Sequence, residues 1–336
     1  MKKKGIRLLC FVCLAIFALY LADCALCVKS PHGVDQMRYL YAQPRGKIDV
    51  LFLGTSHVHC NVDTQILWDD YGIAAYLCTG AEQPLWNSYH ALKEALKTQK
   101  PELVVLDLFG PARFSDDYQE KWLDENLGGM KRSLNKLAAV KASTSVNRME
   151  FFLGYPRYHD RYDELTGEDF RNFFWNRGEM ARWKGYTPLV SHAQLTEPDM
   201  SHVTGSRPLT EKSQHYFDKI AALTQEEGID LALMSAPYLL EEEDQEAYNF
   251  LKELAEERGI LFLNSNTAAC YRQMGLDFST DYADHAHLNE GGSAKFTRFL
   301  GDWLKANYRL PDRRKESGYG SWENQIRRRE TAETAE

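Results

Sequence analysis

The chain has none of the glycine patterns that cradle a phosphate. The stretch around Gly54 contains neither GxGxxG nor GxxxxGK, so no nucleotide or flavin is expected and no cofactor is assigned. Positive charge is also short. The 336 residues carry a formal net charge of −8, and the first 28 alone hold about +3 (Lys2, Lys3, Lys4 and Arg7 against Asp23), leaving about −11 for the rest. A body this acidic argues against nucleic acid as a partner, because phosphate binding needs a basic face. Cysteine is scarce where it would matter. Four of the seven (Cys10, Cys13, Cys24, Cys27) lie in or beside the first apolar run, where they act as small apolar residues. Only Cys60, Cys78 and Cys270 remain. An odd, scattered set without a second ligand pair reads as a disulfide-poor body and argues against a zinc site. No internal repeat or low-complexity tract is present.

What is present begins at the N-terminus. A basic cluster precedes an apolar run from Leu8 to Ala22, which resumes after Asp23 through Val28. About 20 such residues span a bilayer. The run is apolar on every face, unlike the one-sided stripe of a buried helix in a soluble domain. Residues 1–28 are therefore expected to be a signal anchor, with the basic flank cytoplasmic and the rest translocated to the outside of the cell membrane. A cleaved signal peptide is the rival, but no clean small-x-small site follows the run.

Residues 29–46 read as a polar linker and 47–309 as one domain. Short apolar runs at 48–53, 74–78, 103–109, 229–235 and 260–263 read as strands. Helical patterns at 63–71, 84–99, 210–227, 241–258 and 292–306 alternate with them. That order predicts a mostly parallel, five-stranded α/β sheet covered on both faces. Thr210 and Gly228 have the chemistry of an N-cap and a helix stop. Residues 111–206, rich in aromatics, Arg and Asp, break the alternation as a largely helical insertion or lid. Residues 310–336, charged and nearly without aliphatics, are expected to form a disordered tail.

Two short stretches carry chemistry. Gly54-Thr55-Ser56-His57 closes the first strand at the carboxyl edge where ligands bind in parallel sheets. Ser56 there is either a plain helix cap or a nucleophile with backbone N–H groups and a helix dipole beside it. Asp284-His285-Ala286-His287-Leu288-Asn289 lies in a turn before the last helix. Asp284 and His287, three apart, are placed to orient one another. A serine hydroxyl needs such a base to attack a carbonyl at neutral pH.

With these pieces the chain resembles the SGNH, or GDSL-like, hydrolase superfamily. Within it the chain is similar to bacterial membrane-anchored members of the kind represented by the D-alanyl-transfer protein of teichoic acid modification. The likeness rests on 49–57 (DVLFLGTSH), Gly80 after the second strand, 89–107 (YHALKEALKTQKPELVVLD), and 284–289 with Gly292. It covers about residues 47–110 and 208–306. The resemblance implies a flavodoxin-like doubly wound sheet, a catalytic triad of Ser56, Asp284 and His287, and an oxyanion hole built on the N–H groups of Ser56 and Gly80. One departure stands out. The family's third block supplies an Asn side chain to that hole, whereas this chain has 106–111 (LDLFGP) there. Asn87 and His57 are the candidate substitutes.

The function implied is a membrane-anchored, extracytoplasmic serine esterase or O-acyltransferase acting on acyl esters of a cell-surface glycan or polymer, beside a membrane O-acyltransferase that supplies the acyl group. A non-catalytic scaffold of such a system is the alternative. In the insertion, His159 and Arg161 either bind an anionic or sugar group above the triad or pair with Asp160 or Asp163 on the surface. Trp122, Trp175 and Trp183 either stack on sugars or pack the core.

Overall fold

The computed structural model describes residues 2–27, 30–114, 116, 118, 120–171 and 183–323. Its centre is a five-stranded, all-parallel sheet of β1 (Val50–Gly54), β2 (Ala75–Thr79), β3 (Leu103–Asp107), β4 (Asp230–Ser235) and β5 (Leu261–Asn264), in the order β2-β1-β3-β4-β5. That order is the flavodoxin-type doubly wound arrangement, whose switch point lies beside β1. The first three strands are buried along their whole length, as their unbroken apolar runs require. Alternate side chains feed two cores. Leu51, Leu53, Tyr76, Val104 and Leu106 pack on one face; Val50, Phe52, Leu77, Leu103 and Val105 pack on the other.

The covering helices begin and end where capping chemistry dictates. We number α1 (Lys2–Leu26), α2 (Gln36–Ala42), α3 (Ser56–His59), α4 (Thr64–Tyr71), α5 (Leu85–Ala95), α6 (Phe109–Arg113), α7 (Glu120–Gly128), α8 (Leu134–Ser143), α9 (Arg148–Leu153), α10 (Tyr155–Tyr158), α11 (Gly167–Arg171), α12 (Glu211–Glu227), α13 (Glu242–Arg258), α14 (Ala268–Met274) and α15 (Glu290–Asn307). Thr210 caps α12 through the Ser213 N–H, and Gly228 ends it at φ +66°. The segment 111–206 is helical over α7 to α11 and non-helical from Thr187 to Arg207; residues 172–182 lie outside the described residues.

The structure corrects two sequence expectations. The supposed linker 29–46 contains α2, with Met37, Tyr39 and Leu40 buried against the sheet domain. The Gln36 side chain accepts from the Thr79 N–H at 2.7 Å and donates to the Gly185 carbonyl at 3.0 Å. The apolar positions are few but share one face of a seven-residue helix, too short to register as periodicity. Residues 310–323 of the supposed tail are also packed. Trp322 is fully buried and donates its indole N–H to the Ala75 carbonyl at 3.1 Å; Arg313 pairs with Asp49 at 2.9 Å. Tyr319 and Trp322, both buried, and Arg313 do what aliphatics do elsewhere. The remainder, 324–336, lies outside the described residues. Trp322 also satisfies a carbonyl of edge strand β2, while Lys184 O accepts from Leu77 N, so that edge is covered rather than open to pairing. Trp322→Ala should therefore cost about 3–5 kcal/mol of stability in denaturant titration. A change below about 0.5 kcal/mol, the range of inconsequential surface substitutions, would mean that the segment is not docked.

Among the described residues, one helix is long and apolar enough to cross a membrane, Lys3–Leu26. Ile6, Leu9, Phe11, Leu14 and Phe17 are all exposed along it, whereas Ala25 and Leu26 are buried against the domain.

Candidate active site

The nucleophile candidate is set by its two predecessors. Gly54 sits at φ +151°, and a Cβ there would collide with the Asp107 Cβ, so the β1 terminus can approach β3 only as glycine. The Asp107 carboxylate accepts from the Thr55 N–H at 3.2 Å and the Thr55 hydroxyl at 2.8 Å, and also from the Phe109 N–H at 3.2 Å. Thr55 Oγ1 in turn caps α3 by accepting from the His57 N–H at 3.2 Å. Ser56 is thereby held at the first position of α3, half-buried.

His287 arrives from the other end of the chain. In the turn after Asp284, the Asp284 Oδ1 accepts from the N–H groups of Ala286 at 2.7 Å and His287 at 2.9 Å. The same carboxylate lies 3.0 and 3.1 Å from His287 Nδ1. The other ring nitrogen, Nε2, is 2.8 Å from Ser56 Oγ. With Nδ1–H donating to Asp284, Nε2 is the acceptor for the serine proton; that tautomer follows from the hydrogen-bond pattern. The turn is fixed by Asn61, whose Oδ1 accepts from the Leu288 N–H at 2.9 Å. Asn289 caps α15 through the Gly292 N–H at 3.1 Å. Gly292 lies so close to the Asp281 carbonyl that a Cβ would collide with it.

Electrostatics follow the geometry. Burial acts to raise the Asp284 pKa, but the hydrogen bond and charge of His287 and the two turn N–H groups outweigh it and bring it to about 2. Asp107, wholly enclosed, moves the other way: burial lifts it to about 6 against the pull of its donors. His57 is fully buried, with its ring stacked on Phe109 and 5.3 Å from the His287 ring. Burial first, then neighbouring His287, His59 and Arg113, hold it neutral.

Of the two N–H groups that the resemblance assigns to the oxyanion hole, that of Gly80 donates to the Gly54 carbonyl at 3.2 Å. Where the resembled family has its Asn, Asp107 serves Thr55 instead. Of the two candidate substitutes, His57 has both ring nitrogens buried without a partner among the described residues, and Asn87 accepts at Oδ1 from Ser143 Oγ at 2.8 Å in the insertion while its Nδ2, the atom that would donate, is buried. A cavity of about 230 Å³ lined by Glu82, Trp86, Arg113, Phe114 and Tyr118 adjoins the site through Gly110, which packs against the Thr55 methyl.

His159 and Arg161 are not brought to the triad. Arg161 donates to the Leu26 carbonyl at 2.6 Å and pairs with Glu164 at 3.2 Å, not with Asp160 or Asp163; His159 Nδ1 lies 2.8 Å from Pro156 O. Of the tryptophans, Trp122 has the Lys121 ammonium over its ring and Trp183 is half-buried beside Tyr186. Trp175 lies outside the described residues. Sequence reasoning missed Asp107 and Asn61. Asp107 had a signal, a lone acid ending an apolar strand; Asn61 had none. Compared with known proteins, the chain matches no protein-family model, and no curated protein matches it.

Proposed function

We propose that this protein is a membrane-anchored serine esterase or O-acyltransferase of the SGNH type, with Ser56 as nucleophile, His287 as general base and Asp284 as the group that orients it. The observation carrying this reading is the unbroken line Asp284–His287–Ser56 at 3.0 and 2.8 Å, assembled across 231 residues at the carboxyl edge of a parallel sheet. In the reaction, Ser56 Oγ attacks the ester carbonyl while His287 Nε2 takes its proton. The tetrahedral species collapses, the bond to the leaving alcohol breaks, and His287 returns the proton to that oxygen. Water or an acceptor hydroxyl then takes the acyl group by the same steps in reverse roles.

The substrate class is an acyl ester of a cell-surface glycan or polymer, and the partner a membrane O-acyltransferase. Both follow from the family resemblance and from an anchor that keeps the site near the bilayer. Lys2, Lys3, Lys4 and Arg7 in the first turns of α1 support an orientation with the domain outside the cytoplasm, since basic flanks stay inside. The occupied Gly80 N–H favours slow turnover in water, and it is also the observation on which a non-catalytic scaffold would rest. Full-length protein in detergent, treated with a fluorophosphonate, should gain one adduct that peptide mapping places on Ser56. Ser56→Ala should gain none. No adduct on folded wild-type protein would leave the scaffold reading.

A further inference from the structure

The insertion carries a surface that the proposed chemistry does not use. Between Glu125 and Glu150 the sequence has no acidic residue, yet it holds Lys131, Arg132, Lys136, Lys141 and Arg148, in a chain of formal net charge −8. The same stretch leaves large apolar side chains in solvent. Leu134 is 86% exposed, Met149 58% and Val146 54%, with Leu137 and Leu153 beyond a third. On α8 the outward positions are Leu134, Leu137, Ala138 and Lys141, the i, i+3, i+4, i+7 spacing that normally faces a core. Here that stripe faces away from the protein, while the opposite side, with Ala139 and Val140, is buried. Exposed apolar groups gathered in this way mark a contact surface rather than chance.

What covers it is indicated by its neighbour. α1 packs on α10, and α10 on α9. Arg132 pairs with Asp23 near the end of α1 and also donates to the Leu153 carbonyl. Arg161 holds the Leu26 carbonyl. Along α1, exposure persists to Tyr20 and gives way to burial at Ala25 and Leu26, so the helix leaves the apolar phase at the corner where Met130, Lys131, Arg132 and Leu153 surround it. The exposed stripe is thus continuous with the point of membrane exit.

We propose that the α8–α9 corner is a membrane-interfacial surface. Leu134, Leu137, Val146 and Met149 enter the headgroup boundary, and Lys141 and Arg148 contact anionic lipid. Amphipathic segments bind this way, by apolar insertion combined with attraction to anionic headgroups. The contact fixes the domain's tilt about its anchor and hence the height of Ser56 above the bilayer. It rests on α1 crossing the membrane, not on the serine chemistry.

The test uses the full chain in nanodiscs, with the photo-crosslinker p-benzoylphenylalanine placed singly at positions 17, 134, 149 and 261. Position 17 reports on α1. Position 261, exposed on β5, is the control. Irradiation in discs containing phosphatidylglycerol should give phospholipid adducts by mass at 17, 134 and 149, and none at 261. Combining Lys141→Glu with Arg148→Glu should lower the yield at 134 and 149 at least about fivefold in anionic discs, since each basic residue near an anionic surface contributes roughly that factor. Adducts at 17 without any at 134 or 149 would overturn the proposal while leaving the anchor intact. Absence at all four positions would overturn the anchor. In native membranes, protein adducts in place of lipid at 134 and 149 would also overturn the proposal and assign the face to a protein partner.

Discussion

His287→Ala should slow acylation of Ser56 by about 10⁴-fold or more in stopped-flow or quenched-flow measurement with an activated ester. Without the imidazole, the Ser56 proton at 2.8 Å has no acceptor, and the hydroxyl remains a weak nucleophile. Asp284→Asn should cost about as much by a different route. The Asn amide can turn its N–H₂ toward Nδ1, which favours the tautomer whose Nε2 carries the proton and cannot accept another. Asp284→Asn combined with His287→Ala should be little worse than His287→Ala alone, because groups that act as a unit do not add. Additive losses would mean that the two residues work independently and that the triad is wrongly drawn.

The Asp284 carboxylate bears on the pH behaviour of the same site. Its folded pKa lies below that of an unfolded aspartate, so the group stabilises the native state above about pH 4, and this contribution is lost as pH falls toward about 2. Through the range where the site would work, Asp284 keeps its charge. Any acid limb in the acylation profile above pH 4 then belongs to another group.

The parts legible in the sequence share one property: each is determined by neighbours in the chain. Apolar runs marked the five strands, and the alternation with helices implied their parallel pairing. Thr210, Gly228 and Asn289 have capping chemistry that acts over three or four residues, and the structure uses each as a cap or stop. The spacing of Asp284 and His287 was readable for the same reason. Its meeting with Ser56 was an inference from topology, since no local pattern links positions 231 apart.

What escaped depends on distant partners. Trp322 looks like part of a charged tail until the β2 edge is known to need a donor at Ala75. Gln36 looks like linker until Thr79 and Gly185 are placed around its amide. For Arg161 the sequence leaves two readings open, an anionic or sugar ligand or an ion pair with Asp160 or Asp163. In the structure its partners include the Leu26 carbonyl, 135 residues away, Glu164 and, at 4.0 Å, Asp169. The Gly80 N–H was carried over as an oxyanion donor, and in this arrangement it closes a bond to Gly54 that no sequence pattern encodes.

Asp107 is the residue whose replacement should separate positioning from chemistry. It touches no reacting atom, yet through Thr55 it sets where Ser56 stands. Asp107→Asn keeps the shape but cannot accept from Thr55 and from the Phe109 N–H together, because one of its two positions is now a donor. The expected result is a fall in kcat of about 10²-fold with KM little changed, the scale associated with displacing a reacting group by about 1 Å. A second readout distinguishes this from a merely structural loss. Burial raises the folded pKa of Asp107 to about 6. A group whose folded pKa lies above its unfolded one binds its proton more tightly in the native state. Its contribution to stability is therefore complete below about pH 4 and declines as pH climbs through 6. A displacement of about two pKa units corresponds to roughly 3 kcal/mol. The stability difference between wild type and Asp107→Asn, measured by urea denaturation, should accordingly move against wild type by that order between pH 4 and pH 7. The kcat deficit should be read at pH 7 or above, where the wild-type carboxylate is ionised and accepts at both oxygens. A difference in stability that stays flat with pH would show that Asp107 does not titrate in that window, and an unchanged kcat would show that Ser56 is placed without it.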